Sequence, residues 1–238
     1  MDYDSKHHKG RGALSNPAGR FESVSKHSES DCVGGQVDAP AEAARPRTSL
    51  QAEPVRTIIT RNDSPDIPFE LSINPYRGCE HGCIYCYARP SHSYMNLSPG
   101  LDFETKLFYK QGAAEVLEEQ LSHPKYRCKT ITIGANTDPY QPVEKTQEIT
   151  RSLLQVMAKF NQPVAIISKS SSIQRDIDIL APMAAKGLVQ IMISVTSLRD
   201  AIKRTLEPRA ASAKARLETI KALTDAGIPT GVLVAPII

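Results

Sequence analysis

The chain has no run of eighteen apolar residues and no marked excess of charge, and both absences bear on its partners. A membrane-crossing helix needs about 20 consecutive apolar residues, so a membrane partner of that kind is excluded. The opening Met1-Asp2-Tyr3-Asp4 has no apolar stretch of the secretory type, and a cytoplasmic protein is expected. Lys and Arg number 29 against 26 Asp and Glu, a net +3, which announces neither nucleic acid nor an acidic membrane surface. No basic stripe with interleaved aromatics is present to bind a single strand strongly. Paired C-x2-C knuckles, the common zinc signature, are also missing.

What the chain does have is three thiols in eight positions: Cys79-Glu80-His81-Gly82-Cys83-Ile84-Tyr85-Cys86. Five cysteines in all, three of them in one loop, fit a metal or cluster site in a reducing compartment better than a secreted disulfide framework. Thiolates suit zinc, copper(I) or iron–sulfur centres. Zinc requires a fourth ligand from His81, Cys32 or Cys128, and His81 sits between two of the thiols with little slack. Cys32 lies in a polar tail and Cys128 before an apolar strand, and both are read as non-ligands. As an iron–sulfur site, the three cysteines hold three irons of a cubane and leave the fourth open.

At 238 residues, 40% of them hydrophobic, the chain suits one globular domain plus a tail. Residues 1–54 carry Ser, Gly, Ala, Pro and charge without periodicity and are expected to be a disordered tail, in which only Arg11 to Phe21 has apolar residues, Leu14 and Phe21, able to dock on the body. The core domain is expected over 55–238. Strands are predicted at Phe69 to Asn74, Phe103 to Tyr109, Thr130 to Ile133, Val164 to Ile167, Leu188 to Val195 and Thr230 to Ile238. Amphipathic helices are predicted around Ala113 to Leu121, Ile149 to Phe160, Ile173 to Ala184 (ended by Gly187) and Leu217 to Leu223. This βα series predicts an α/β fold with one parallel sheet. Ligands gather at the carboxyl ends of such strands, so the cysteine loop, Asn136 to Tyr140, Ser168 to Ser170 and Thr196 to Arg199 are expected to share one rim. No helix follows the last strand, and a fold truncated after about the fifth strand is expected.

The C-x3-C-x2-C spacing of Cys79, Cys83 and Cys86, with Tyr85 just before the third cysteine, resembles the radical S-adenosylmethionine (SAM) superfamily. The text from Ser72 to Cys83 is similar more narrowly to its spore-photoproduct-lyase-like branch, often labelled DNA repair photolyase-like. So are Ser98 to Glu104, Thr137 to Pro142 and Leu206-Glu207-Pro208-Arg209. The likeness covers about Arg56 to Ile238, and Gly10 to Phe21 is family-like too. It implies a partial parallel (β/α)6 barrel with a [4Fe-4S] cluster on the three cysteines and SAM chelating the open iron. It further implies one-electron cleavage of SAM to methionine and a 5′-deoxyadenosyl radical, with an external reductant such as flavodoxin or ferredoxin.

Carried over by residue, the resemblance makes Cys79, Cys83 and Cys86 the metal ligands and puts Tyr85 beside the adenine. Asn136, Thr137 and Asp138 fall where the superfamily often contacts the methionine moiety, although no Gly-Gly-Glu is present. Lys169 would meet the carboxylate, and Ser194 and Thr196 the ribose hydroxyls. Plainer readings stand beside these. Asp138-Pro139 is a turn dipeptide, Lys169 a solvated rim lysine, and Ser194 and Thr196 the end of a strand. Glu207 and Arg209 either face the active site or cap a following helix. A spore photoproduct lyase is expected to carry a rim cysteine, and Gly134 to Tyr140 has none, so the substrate stays unassigned; the resemblance leaves nucleic acid open as substrate or partner, although the charge does not support it. A zinc-binding or electron-transfer module without SAM chemistry is the alternative.

Overall fold

The structure, a computed structural model, describes His8, residues 10–19 and residues 46–237. Its larger sheet is the expected βα series. After a short edge strand β2 (Thr60–Arg61) come β3 (Leu71–Ile73), β6 (Ile131–Ile133), β7 (Val164–Ser168), β8 (Val189–Ser194) and β9 (Thr230–Leu233), hydrogen-bonded in that order. β2 is antiparallel to β3, and the other four pairings are parallel. Because spatial order follows chain order, each crossover is wound the same way and returns its helix to the same face. Both β3 and β6 are buried along their whole length, as strands covered on two faces must be.

The crossover helices are α2 (Ala113–Ser122), α4 (Ile149–Phe160), α5 (Ile177–Ala184) and α7 (Ala213–Asp225), and α2 packs on α4 and α4 on α5. Leu117, Leu153, Met157 and Leu180 from these helices are fully buried against Ile131, Ile133, Ile166 and Ile191 of the strands. α5 is preceded by a 3-10 turn over Ser171–Asp176, whose cap Ser170 accepts from the Ser172 N–H. It ends near Gly187, whose φ of +71° is the left-handed conformation expected of a glycine stop. α7 starts on Ser212, which accepts from the Ala215 N–H.

A second sheet was not foreseen. β1 (Ser49–Pro54) pairs parallel with β5 (Lys106–Gln111), which pairs antiparallel with β4 (Tyr76–Arg77). Two expectations are corrected here. Residues 49–54 form a strand although they were read as tail, because a partner strand in β5 supplies the hydrogen bonds that Ser-Leu-Gln-Ala-Glu-Pro has no local pattern to advertise. The strand expected over Phe103 to Tyr109 is split, with a short helix α1 (Leu101–Thr105) giving way to β5. Residues 10–19 lie on the body, which corrects the expected disordered tail there; the anchors are polar, and Leu14, the apolar residue expected to dock, is exposed. Phe21 and Cys32 fall outside the described residues. Two further short helices, α3 (Glu144–Gln147) and α6 (Asp200–Leu206), occupy connections read as loops.

No helix among the described residues is long and apolar enough to cross a membrane.

Candidate active site

The cysteine loop leaves β3 through β4 and closes over the carboxyl ends of the parallel strands. Cys79 and Cys83 are buried and Cys86 is partly so, all three as free thiols. They line a cavity of about 380 Å³, within the range of cofactor sites. Its other walls are Gly134 to Asn136 and Asp138 after β6, Ile167 to Lys169 at the end of β7, Ser194 ending β8, and Leu233, Ala235 and Pro236 at the end of β9. The shared rim is therefore real, except that the connection after β8, Thr196 to Arg199, does not line the cavity and only Ser194, the last residue of β8, does.

The loop after β6 acts chiefly as a brace. The Asn136 N–H donates to Asn74 Oδ1 at 2.9 Å, and the Thr137 hydroxyl donates to the Tyr76 carbonyl at 2.9 Å. Gln141, fully buried, donates through Nε2 to the Gly78 carbonyl (3.0 Å) and accepts from the Glu80 N–H (2.9 Å), so one amide grips both sides of Cys79. Asp138 faces His81 Nδ1 at 3.3 Å and accepts from Ser168 Oγ (2.8 Å), the Lys169 N–H (2.6 Å) and the Tyr140 N–H (2.9 Å). Burial alone would raise its carboxyl, but His81 and these donors outweigh burial and hold it down at about 2. Thr137 thus spends its hydroxyl on the loop and is not a cavity wall, whereas Asn136 and Asp138 are both walls and braces.

On the opposite side, the Tyr85 hydroxyl donates to the Glu207 carboxylate and lies 3.2 Å from Thr196 Oγ1. Thr196 donates to the same carboxylate at 2.8 Å, and the buried Arg216 pairs with its other oxygen. Burial tends to raise the Glu207 carboxyl, and Arg216 and the two hydroxyls more than compensate, leaving it below its ordinary value. Burial, then the neighbouring Cys83 and Glu207, push the Tyr85 phenol up, so it stays a donor. Glu207 therefore reaches the site through Tyr85 and does not N-cap the following helix α7; Ser212 has that role. Arg209 pairs with Glu80 at 3.0 Å, and the Arg209 and Ile84 N–H groups bond the His81 and Leu206 carbonyls. Lys169 lines the cavity with Nζ 6.0 Å from the Tyr85 ring centroid.

Gln141 and Glu80 are the site residues that sequence reasoning does not single out, although both stand in the motif segments that carry the resemblance; His81 and Glu207 are weighed there only as a zinc ligand and as a carboxylate facing the site or capping a helix.

The donor chemistry fits an iron–sulfur cluster. Burial is the main reason that the Cys79 thiol lies well above its ordinary value, while the Asp138 N–H, hydrogen-bonded to it, acts the other way. Burial likewise pushes Cys83 up to about 12, partly offset by the Lys169 ammonium. Such thiols stay protonated until a cationic centre displaces the protons. Among the described residues no three His, Cys, Asp or Glu side chains converge on one ion. A cubane takes one thiolate per iron, so its ligands need not converge. Cys128 is remote from the cavity, exposed, with its thiol 3.5 Å from Gln162 Oε1.

A mostly parallel α/β sheet with three thiols lining a cofactor-sized cavity at its carboxyl edge defines an α/β protein with a candidate cofactor site. The sequence profile of the radical SAM superfamily matches residues 73–238, and the chain belongs to that superfamily, which is one of enzymes. An uncharacterized protein of Mycobacterium tuberculosis is 35% identical over 172 residues, covering 72% of this chain and 51% of that protein. One of Methanocaldococcus jannaschii is 27% identical over 169 residues, 70% and 60% respectively. The chain thus spans about half to three-fifths of these curated relatives. Among solved structures, spore photoproduct lyase complexed with dinucleoside spore photoproduct is similar with a TM-score of 0.56 at 18% identity, covering 85% of this chain and 56% of that one. A mutant of it with bound AdoMet and the same dinucleoside gives 0.55 at 17%, with the same coverage. At that identity the likeness is one of fold.

Proposed function

We propose that this chain is the SAM-cleaving core of a radical enzyme, with a [4Fe-4S] cluster on Cys79, Cys83 and Cys86. The observation that carries the reading is that these three thiols of a radical SAM domain all wall one cavity at the strand ends. When bound, the cluster and SAM supply reductive sulfonium cleavage and a 5′-deoxyadenosyl radical. The chain's own residues bind, orient and enclose. Within a partial β/α barrel, Tyr85 presents its ring to the adenine, and Lys169, the one lysine lining the cavity among the described residues, offers its ammonium to the SAM carboxylate. Ser194 stands at the end of β8 for the ribose, and Asn136 and Asp138 face the methionine side. Thr137 and Thr196 serve these roles indirectly, by holding the cysteine loop and Glu207. An external one-electron donor of the flavodoxin or ferredoxin kind reduces the cluster, and the setting is cytoplasmic.

Strictly anaerobic purification with iron, sulfide and zinc analysis tests the cluster. The expected result is about four irons and four sulfides per chain and a reduced-cluster electron paramagnetic resonance (EPR) signal that changes when SAM is added. Stoichiometric zinc without iron overturns the reading in favour of a zinc module. An iron centre whose signal ignores SAM favours an electron-transfer module.

A further inference from the structure

Residues 10–19 lie outside the matched superfamily segment, yet their backbone is built against the cysteine loop. We propose that they form a strap that sets the shape of that loop, with Glu104 as the positioning residue through which the strap acts. The inference concerns the site of the proposed function and rests on that reading for its cluster readouts only.

Glu104 of α1 is fully buried and accepts from the Gly12 N–H (3.0 Å) and the Ala13 N–H (2.9 Å). Its Oε1 also takes Arg89 Nη2 at 2.6 Å, and Arg89 in turn donates twice to the Cys83 carbonyl, at 2.8 and 3.0 Å. One carboxylate therefore joins the strap to a ligand residue. Arg11, also buried, donates to the Glu104 carbonyl (2.8 Å) and to Thr48 Oγ1 (3.0 Å), and Thr48 donates to Glu80, the neighbour of Cys79 (2.8 Å). The strap thus reaches the loop at two points, Glu80 and Cys83.

Packing makes the contact specific. A methyl group on Gly12 would collide with the Gly82 carbonyl and come within 3.0 Å of Ile84 Cγ2, and one on Gly82 would meet Glu104 Oε2 at 2.9 Å. The two glycine backbones therefore meet directly, with no side chain between them. Farther along, Asn16 exchanges hydrogen bonds with Asp102, and the Leu101 N–H donates to the Ser15 carbonyl, so the strap is fastened beyond the contact point as well. A buried carboxylate stripped of such donors is destabilised, so the strap and the loop hold each other.

Full-length Gly12→Val, Glu104→Gln and, as a control at an exposed strap position, Leu14→Ser are compared with the parent by amide hydrogen exchange. Cluster-free protein is used first, so the outcome does not depend on the proposed function. Exchange of amides 79–86 should rise at least about tenfold in Gly12→Val and Glu104→Gln, as losing a charged hydrogen bond predicts, with β7 amides unchanged and Leu14→Ser like the parent. On reconstituted protein the same two variants should show a shifted midpoint potential and altered EPR g-values. Free exchange of residues 10–19 with unaltered exchange at 79–86 overturns the proposal. So does collapse of β7 protection in both variants, which would make the strap a general stabiliser. A parent that takes up no iron refutes the proposed function and leaves the exchange result to decide on the strap.

Discussion

Cys83 and Tyr85 sit two positions apart and separate in role: under the proposed function the first offers a thiolate to the cluster, while the second joins the loop to Glu207. Cys83→Ala should therefore abolish the visible absorbance and iron content of the reconstituted protein, and a retained cluster would refute the ligand assignment. Tyr85→Phe removes a hydroxyl but keeps the ring. Glu207 retains Arg216 and Thr196, so the expected cost in urea unfolding is about 1 kcal/mol, with iron content unchanged. Asp138 gives a pH test. Its carboxyl falls from an ordinary 3.8 to about 2 in the fold, so its contribution is complete above 3.8 and is lost as pH falls through about 2. Asp138→Asn should lower stability at neutral pH and flatten the dependence between pH 4 and pH 2, roughly the window between the two values. An acid-unfolding curve parallel to the parent's would contradict this.

At the scale of elements, the ends of the strands matter more than their middles. Gly134, the residue after β6, has a φ of +90°, and a methyl group there would collide with the Ile167 carbonyl of β7. Only that close approach lets the chain turn to place Asn136 and Asp138 in the wall. Gly134→Ala should cost about 1–3 kcal/mol in denaturant unfolding and weaken SAM binding in proportion to loop displacement; a neutral effect would show that the turn is not constrained. The strands and crossover helices were readable because β-branched runs alternate with 3.6-residue spacing, both local signals. β1 was not readable, since its stability comes from β5, and α1 was misread because Phe103 and Thr105 alternate as a strand would. The same limit governs the site. The thiol spacing is local, whereas Gln141 reaches Glu80 across 61 positions, Ala13 reaches Glu104 across 91 and Tyr85 reaches Glu207 across 122. No periodic pattern encodes contacts of that span.

For the whole molecule, the cysteine loop is held from three sides: by the strap through Glu104, by the loop after β6 through Gln141 and Asp138, and by Leu206 to Arg209 through Glu207 and Glu80. The remaining side opens to the cavity. An enclosure of this kind suits chemistry in which water and oxygen are excluded and a cofactor enters from the strand ends. The most direct measurement is the yield of 5′-deoxyadenosine from anaerobically reconstituted protein given dithionite and SAM. The account predicts formation that requires both reagents and disappears in Cys83→Ala. Iron-loaded protein whose yield does not exceed that of Cys83→Ala would contradict it.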